Sequence, residues 1–220
     1  MSSHACVLVS GGVESSALLA DASARYDKVT PLYIRNHLRW EETELSWLKK
    51  FLREFKSEKL MPLKVLELSM RDLYERHWSV TGIQVPDARS KDGAVYLPGR
   101  NVVFLAKAAC FAALYDISVI EIGVLKANPF HDGSKAFFKK FSAGLSAGLG
   151  REIAVNAPFG KLKKEDVILR ARKLPLELTF SCLNPKGYEH CGECNKCTER
   201  KKAFFAAGVF DKTKYKKTGM

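Results

Sequence analysis

Two groups of residues in this sequence have types and spacing that fit defined chemistry: four thiols near the C-terminus and a serine–glycine string near the N-terminus. Cys182, Cys191, Cys194 and Cys197 follow a C-x8-C-x2-C-x2-C pattern within sixteen positions. Four thiolates at such spacing close a tetrahedral Zn2+ site, and because the protein fills every coordination place the metal is expected to be structural. Gly192 suits the tight knuckle between ligands, and His190 stands beside Cys191 as an alternative ligand. Cys6 lies in an apolar strand-like run and Cys110 in an apolar helical one, so both read as packed core thiols.

The second group is the string LVSGGVESSAL at residues 8–18. An apolar run ends in Ser10, Gly11 and Gly12, and Ser15 and Ser16 then fall at the start of a helical stretch. Glycines let the backbone turn tightly and leave room for a bulky anion. The free N–H groups and positive end of the following helix suit a phosphate. No Gly-Lys-Ser follows, so this is not a Walker loop. A bare Gly-Gly after a strand also serves as a plain turn, and the pair alone does not decide between the two.

These groups need a scaffold, and the pattern of elements supplies one. Short β-rich runs fall at 5–10, 28–34, 63–69, 118–124 and 151–157, with helical stretches at about 15–25, 39–56, 101–115, 134–148 and 163–173. Strand followed by helix, repeated, predicts an α/β fold with a five-stranded parallel sheet. The strands are apolar without strict alternation, as expected when helices cover both faces. Residues 74–100 are irregular and polar, and a loop that long in a compact domain is commonly functional. The chain has 220 residues, 46% of them hydrophobic. That suits an α/β domain over 1–175 with a metal-binding C-terminal segment over 176–220. No apolar stretch is long enough to cross a bilayer, and no basic region precedes the first apolar run, so a cytoplasmic protein without membrane contact is expected. In that compartment disulfides between the cysteines are disfavoured. The net charge is +12, with basic clusters at Lys161-Lys163-Lys164, Lys201-Lys202 and Lys212 to Lys217. This fits a solvated surface, an anionic small substrate or nucleic acid; charge alone does not choose.

Taken whole, Ser-Gly-Gly-Val-Glu-Ser resembles the PP-loop of ATP pyrophosphatases, SGGxDS, with Glu14 where that superfamily has Asp. Joined to the stretch TFSCLNPKGYEHCGECNKCTERKKAFFAAGVFDKTKY, it resembles the 7-cyano-7-deazaguanine synthase family of queuosine biosynthesis over about residues 5–215. Tyr33 to Glu41 (YIRNHLRWE), Pro98-Gly99-Arg100-Asn101, and Lys164 six residues after Pro158 are further similarities. The resemblance implies an adenine-nucleotide α-hydrolase-like, Rossmann-like fold. It also implies a ligase that activates a small-molecule carboxylate with ATP and Mg2+, forms an acyl-adenylate, admits ammonia and yields a nitrile. A homodimer is expected.

On the same resemblance, Ser10, Gly11, Gly12, Ser15 and Ser16 cradle phosphate, Glu14 holds Mg2+ or nucleotide, and Lys164 neutralises phosphate charge, with Lys161 and Lys163 as competitors. Arg100 and Asn101 reach nucleotide or substrate from a helix start, although Asn101 also suits a plain N-cap. Arg35 and His37 face the nucleotide cleft on that resemblance, whereas the residues by themselves read more simply as a solvated loop. The loop Lys126-Ala127-Asn128-Pro129-Phe130-His131-Asp132-Gly133-Ser134 departs from the family's glycine-tyrosine-proline-aspartate-cysteine string, with Asp132 as the matching aspartate. Three alternatives stay open: a paralogue that passes the activated carboxylate to a protein or nucleic-acid amine, a PP-loop tRNA-modifying enzyme, and a non-catalytic nucleotide-binding module.

Overall fold

The computed structural model describes residues 3–216. Lys217, the last lysine of the basic tail, and the outermost ends of the two expected segments (residues 1–2 and 218–220) lie outside the described residues. The strands are β1 (His4–Leu8), β2 (Lys28–Arg35), β3 (Lys64–Glu67), β4 (Val119–Glu121) and β5 (Ala154–Asn156). They form a five-stranded sheet in the order β3-β2-β1-β4-β5, with every neighbouring pair parallel. The helices are α1 (Val13–Arg25), α2 (Glu41–Glu54), α3 (Arg71–Tyr74), α4 (Trp78–Thr81), α5 (Arg100–Leu114), α6 (Lys135–Leu149), α7 (Lys164–Arg170) and α8 (Asn195–Ala206).

Side chains alternate across each strand and so feed two cores. Val7, Val9 and Tyr33 pack with Leu18, Leu19 and Ala22 of α1, Leu48 of α2, Val167 and Ile168 of α7 and Phe204 of α8. Cys6, Leu8, Leu32 and Ile34 pack on the other face with Leu105, Ala108 and Ala109 of α5 and Phe138 of α6. Both faces are covered, which is why the strands read as nearly unbroken apolar runs. Burial in this core pushes the Cys6 thiol up to about 12. Cys110 departs from the expectation: it is exposed. The apolar stripe of α5 is set by Leu105, Ala108, Ala109 and Ala112, and position 110 falls on the opposite side of the helix.

The expected strands and helices are present with shifted ends, and α3, α4 and α8 are additions. α8 buries Asn195, Cys197, Arg200, Ala203 and Phe204, a mixed face whose two polar members break its apolar periodicity. Arg200 is fully buried because its guanidinium is satisfied by Thr179, Thr213 and Asp211 side chains and the Leu176 carbonyl. A third core joins Leu38, Trp40, Tyr74, Val95 and Leu97 to Phe180 and the four C-terminal cysteines. Chain order reverses between β1 and β4, so the crevice at the carboxyl ends of these strands is the switch point where ligands bind in open α/β sheets.

Candidate functional site

The string after β1 lies at that switch point. Gly11 takes a left-handed φ of 73°, and a Cβ there would stand 3.1 Å from Leu48 Cβ and 3.4 Å from the Glu44 carbonyl oxygen. Glycine is therefore needed both for the turn and for the close approach of α2. Gly12 caps α1 in extended conformation, and the first intrahelical bond runs from Ser16 N–H to the Gly12 carbonyl, 3.0 Å. The amides of Val13, Glu14 and Ser15 precede it and have no intrahelical partner. Ser15 Oγ accepts from the Ser10 amide at 3.1 Å and donates to the Gly12 carbonyl at 3.2 Å, closing the loop on itself. From the other side Gly123, just past β4, comes so near that a Cβ on it would lie 3.2 Å from the Ser15 nitrogen. The result is a helix N-terminus opening onto a cleft of about 1060 Å³.

Ser10, Gly12, Glu14 and Ser15 line this cleft. Gly11 and Ser16 lie behind it, Gly11 shaping the turn and Ser16 buried at 1% exposure. Lys164 is the first residue of α7, fixed there because the Lys163 amide donates to Asp166 Oδ2 at 2.9 Å. Its ammonium reaches across to Glu14 Oε1 at 2.9 Å and Glu199 Oε1 at 3.0 Å. Burial opposes its charge, but the two carboxylates outweigh this and hold Lys164 above its ordinary pKa. Glu199 also contacts Lys196 at 2.5 Å. Burial alone would raise Glu199, yet Lys164 and Lys196 together bring it down to about 2. Of the three candidate lysines, Lys164 is the buried one facing Glu14, Lys163 is an exposed residue of the rim, and Lys161 is exposed and off the wall. Glu199 was not visible in sequence because α8 was not.

The opposite wall is built by α2, α5 and the irregular 74–100 stretch. Trp40 and Trp78 stack there with ring centroids 5.7 Å apart, and Tyr96 stacks on Phe130 at 4.7 Å. Arg100 opens α5 and lines the cleft without an ion pair among the described residues. Asn101 is not the N-cap; Gly99, with φ 73°, is. The Asn101 side chain instead donates to the Asp132 carbonyl at 3.2 Å, while its amide donates to Asp132 Oδ2 at 3.2 Å. Asp132 is thereby fixed beside Arg100, with Oδ1 buried and unpartnered. Glu44, half-buried one turn beyond Trp40, accepts from Tyr33 Oη at 2.8 Å. Burial pushes it up to about 7, against the lowering pull of Tyr33 and Arg100.

Arg35 and His37 do not reach the cleft. Arg35 is turned to Glu41 at 2.8 Å and to Glu42, and His37 Nε2 meets Glu67 at 2.9 Å. Glu41 is buried because it also takes the amides of Asn36 and His37, which closes the β2–α2 turn and draws both basic side chains toward the carboxylates.

The four cysteine sulfurs lie within 4.8 Å of one another, all buried. The Cys191–Cys197 and Cys182–Cys194 separations are each 4.0 Å. A tetrahedral site with metal–sulfur bonds of about 2.3 Å places sulfurs about 3.8 Å apart, so the donor set fits a tetrahedral ion such as zinc. Backbone amides of Leu183, Asn184, Cys191 and Cys194 point at the sulfurs at 3.3–3.4 Å, the partners that thiolates need. Gly192 takes φ 82° in the knuckle. His190 stands outside the set: its Nε2 accepts from the Ser181 amide at 3.2 Å and its ring packs on Phe180. The cluster also anchors the cleft wall, since Asn195 bonds to the Pro86 and Ser90 carbonyls and ties residues 74–100 to α8.

This fold and site define a parallel α/β protein with a glycine–serine loop and a helix N-terminus at the sheet's switch point, an arrangement that suits a phosphate, and a four-cysteine centre beside it. A family model described as queuosine biosynthesis protein QueC matches residues 4–208, and the chain belongs to that family. A 7-cyano-7-deazaguanine synthase of Picrophilus torridus is 32% identical, over 96% of this chain and 91% of that protein. One from Methanocaldococcus jannaschii is 29% identical, over 96% and 98%. Among solved structures, a 4-thiouridine synthetase–RNA complex with bound ATP superposes with a TM-score of 0.51 at 15% identity, over 94% of this chain and 50% of that one; it shows the fold alone. No helix among the described residues is long and apolar enough to cross a membrane.

Proposed function

We propose that the chain makes 7-cyano-7-deazaguanine from 7-carboxy-7-deazaguanine, ammonia and ATP. A carboxylate oxygen is a poor leaving group until it carries AMP. In this reading the substrate carboxylate attacks the α-phosphorus of ATP, releasing pyrophosphate and forming an acyl-adenylate. Ammonia displaces AMP to give the amide and a proton. The amide oxygen then takes AMP from a second ATP, again releasing pyrophosphate, and loss of AMP and a proton leaves the nitrile. The protein's task is positioning and charge stabilisation.

The observation that carries this reading is the placement of Lys164 across from the α1 N-terminus, in one cleft with the unpaired Arg100. The free amides of Val13, Glu14 and Ser15 bind the departing pyrophosphate, and Lys164 releases one of its two carboxylates to meet the phosphate charge. Glu14, once freed, would be the carboxylate placed to hold Mg2+, an ion that typically takes one or two carboxylates alongside phosphate oxygens and would neutralise their charge. Arg100 draws in the substrate carboxylate. Zinc at Cys182, Cys191, Cys194 and Cys197 would hold the wall and take no part in the reaction. The test is pyrophosphate release by the protein with Mg2+-ATP, with and without 7-carboxy-7-deazaguanine: release dependent on the base supports the reading, and base-independent or absent release removes it.

A second reading keeps the activation and changes the acceptor. Exposed Lys126, Lys163 and Lys202 line the mouth of the cleft, a basic rim suited to a polyanion. A protein or nucleic-acid amine would then replace ammonia. Covalent attachment of the base to a macromolecule, detected by mass spectrometry, separates the two.

A further inference from the structure

Handling of phosphate leaves Glu44 without a task, yet it is a half-buried carboxylate on the wall of the same cleft. Glu44 and Trp40 are one turn apart on α2 and so are neighbours on one face. Trp40 in turn stacks on Trp78 with an interplanar angle of 24°. Tyr33 donates to Glu44 Oε2 at 2.8 Å, which fixes the carboxylate. A carboxylate has lone pairs for about four donors, so with Tyr33 and the Trp40 side chain both serving Glu44, room for about two more remains. We propose that Glu44, beside the Trp40–Trp78 stack, reads the N1–H and 2-amino edge of a guanine-type base, while Arg100 takes the carboxylate and carbonyl oxygen of the same ring system. This assignment rests on the substrate proposed above.

The chemistry selects the base. The pairing edge of adenine offers one donor and one acceptor, so one carboxylate oxygen would face a lone pair. A guanine-type edge offers two adjacent donors, matched to the two oxygens of Glu44. The carbonyl oxygen and the carboxylate of a 7-carboxy-7-deazaguanine are acceptors, and Arg100 is a donor-only fork with no ion pair among the described residues. Burial raises Glu44 to about 7 in the free protein against the pull of Tyr33, Arg100 and Trp40, and a base bringing two more donors would favour its charged form. In its charged form Glu44 therefore favours a guanine-type edge over that of adenine.

The test is calorimetric titration of 7-carboxy-7-deazaguanine and its 2-deamino counterpart, the hypoxanthine analogue, into the wild type and Glu44→Gln, with ATP titrated in parallel. The wild type is expected to prefer the 2-amino base by about tenfold or more, as for other paired polar contacts read from a base edge. In Glu44→Gln an amide NH2 faces one of the base donors, and the preference should fall to within about threefold while ATP affinity is unchanged. Equal affinity of the wild type for the two bases overturns the proposal without recourse to any variant, so poor folding of Glu44→Gln does not shield it. A preference retained in full by a folded Glu44→Gln also overturns it. If the wild type binds ATP and neither base, the substrate assignment itself falls and takes this proposal with it.

Discussion

Replacing Lys164 by Met separates an ion pair that only holds the fold from a cation that also serves phosphate. At 2.9 Å from Glu14 and 3.0 Å from Glu199, each pairing is worth about 6 kcal/mol of gross Coulomb energy at an effective dielectric constant near 20. Most of this is offset by the desolvation of a side chain only 9% exposed. Breaking a buried pair by removing one partner typically costs about 3–5 kcal/mol, since the other charge is stranded. Here Lys196 stays on Glu199, and the stranded group is Glu14, whose side chain is 19% exposed. We therefore expect Lys164→Met to lose about 2–3 kcal/mol in urea unfolding at neutral pH. Adding Glu14→Gln should return at least about 1 kcal/mol of it by removing the stranded charge. ATP affinity should fall in Lys164→Met and stay low in the double variant, because neither restores a cation opposite the α1 N-terminus. A single variant as stable as the wild type would refute the pairing. Recovery of both stability and ATP affinity in the double variant would reduce Lys164 to a structural role.

Gly12→Ala should fold normally, since Gly12 has φ −71° and a Cβ would meet nothing nearer than Ser10 Oγ at 3.3 Å, yet it should weaken ATP binding because that Cβ projects between Ser10 and Glu14; nucleotide titration with a melting curve checks both halves. Cys194→Ser should lower bound metal and thermal stability together and speed amide exchange in residues 74–100, which Asn195 ties to α8; elemental analysis and hydrogen exchange read this out, and intact metal content would count against the site. Glu14→Gln should cost turnover about a hundredfold, or about 2.7 kcal/mol of barrier, while Glu14→Asp should be tolerated or mildly harmful; equal pyrophosphate release by all three forms would make Glu14 a bystander. Glu199, held near 2 when folded, contributes stability that is present above its unfolded pKa near 4.5 and is lost as pH falls from there toward 2; Glu199→Gln should flatten that acid limb of the unfolding profile.

How much of this was legible depended on where the information sat. The parallel sheet was readable because apolar runs such as residues 5–10 and 28–34 alternate with helical stretches, and both faces are buried. The four cysteines and the glycine turn after β1 are legible because their residues are local in sequence. What escaped was what the fold brings together or what polar burial hides. α8 mixes buried Asn195 and Arg200 with Cys197, Ala203 and Phe204, so neither the helix nor Glu199 announced itself. Glu44 sits in a run of acidic residues, Glu41, Glu42 and Glu44, that differ only in what lies above them: backbone amides for Glu41, solvent for Glu42, the cleft for Glu44. For Arg35 and His37 the resemblance points to the cleft and the residues alone to a solvated loop, and their draw toward Glu41, Glu42 and Glu67 is visible only with the β2–α2 turn in hand. Cys110 shows the limit of reading burial from an apolar helix, since one position in such a helix can still face outward.

The most direct test of the account is mass spectrometry of the products formed from 7-carboxy-7-deazaguanine, ammonium, Mg2+ and ATP, with AMP and pyrophosphate counted in the same reaction. The account predicts 7-cyano-7-deazaguanine accompanied by about two AMP and two pyrophosphate for each nitrile, from the two activation steps described. An unchanged base with no AMP or pyrophosphate, from protein shown to bind both ATP and the base, would contradict it.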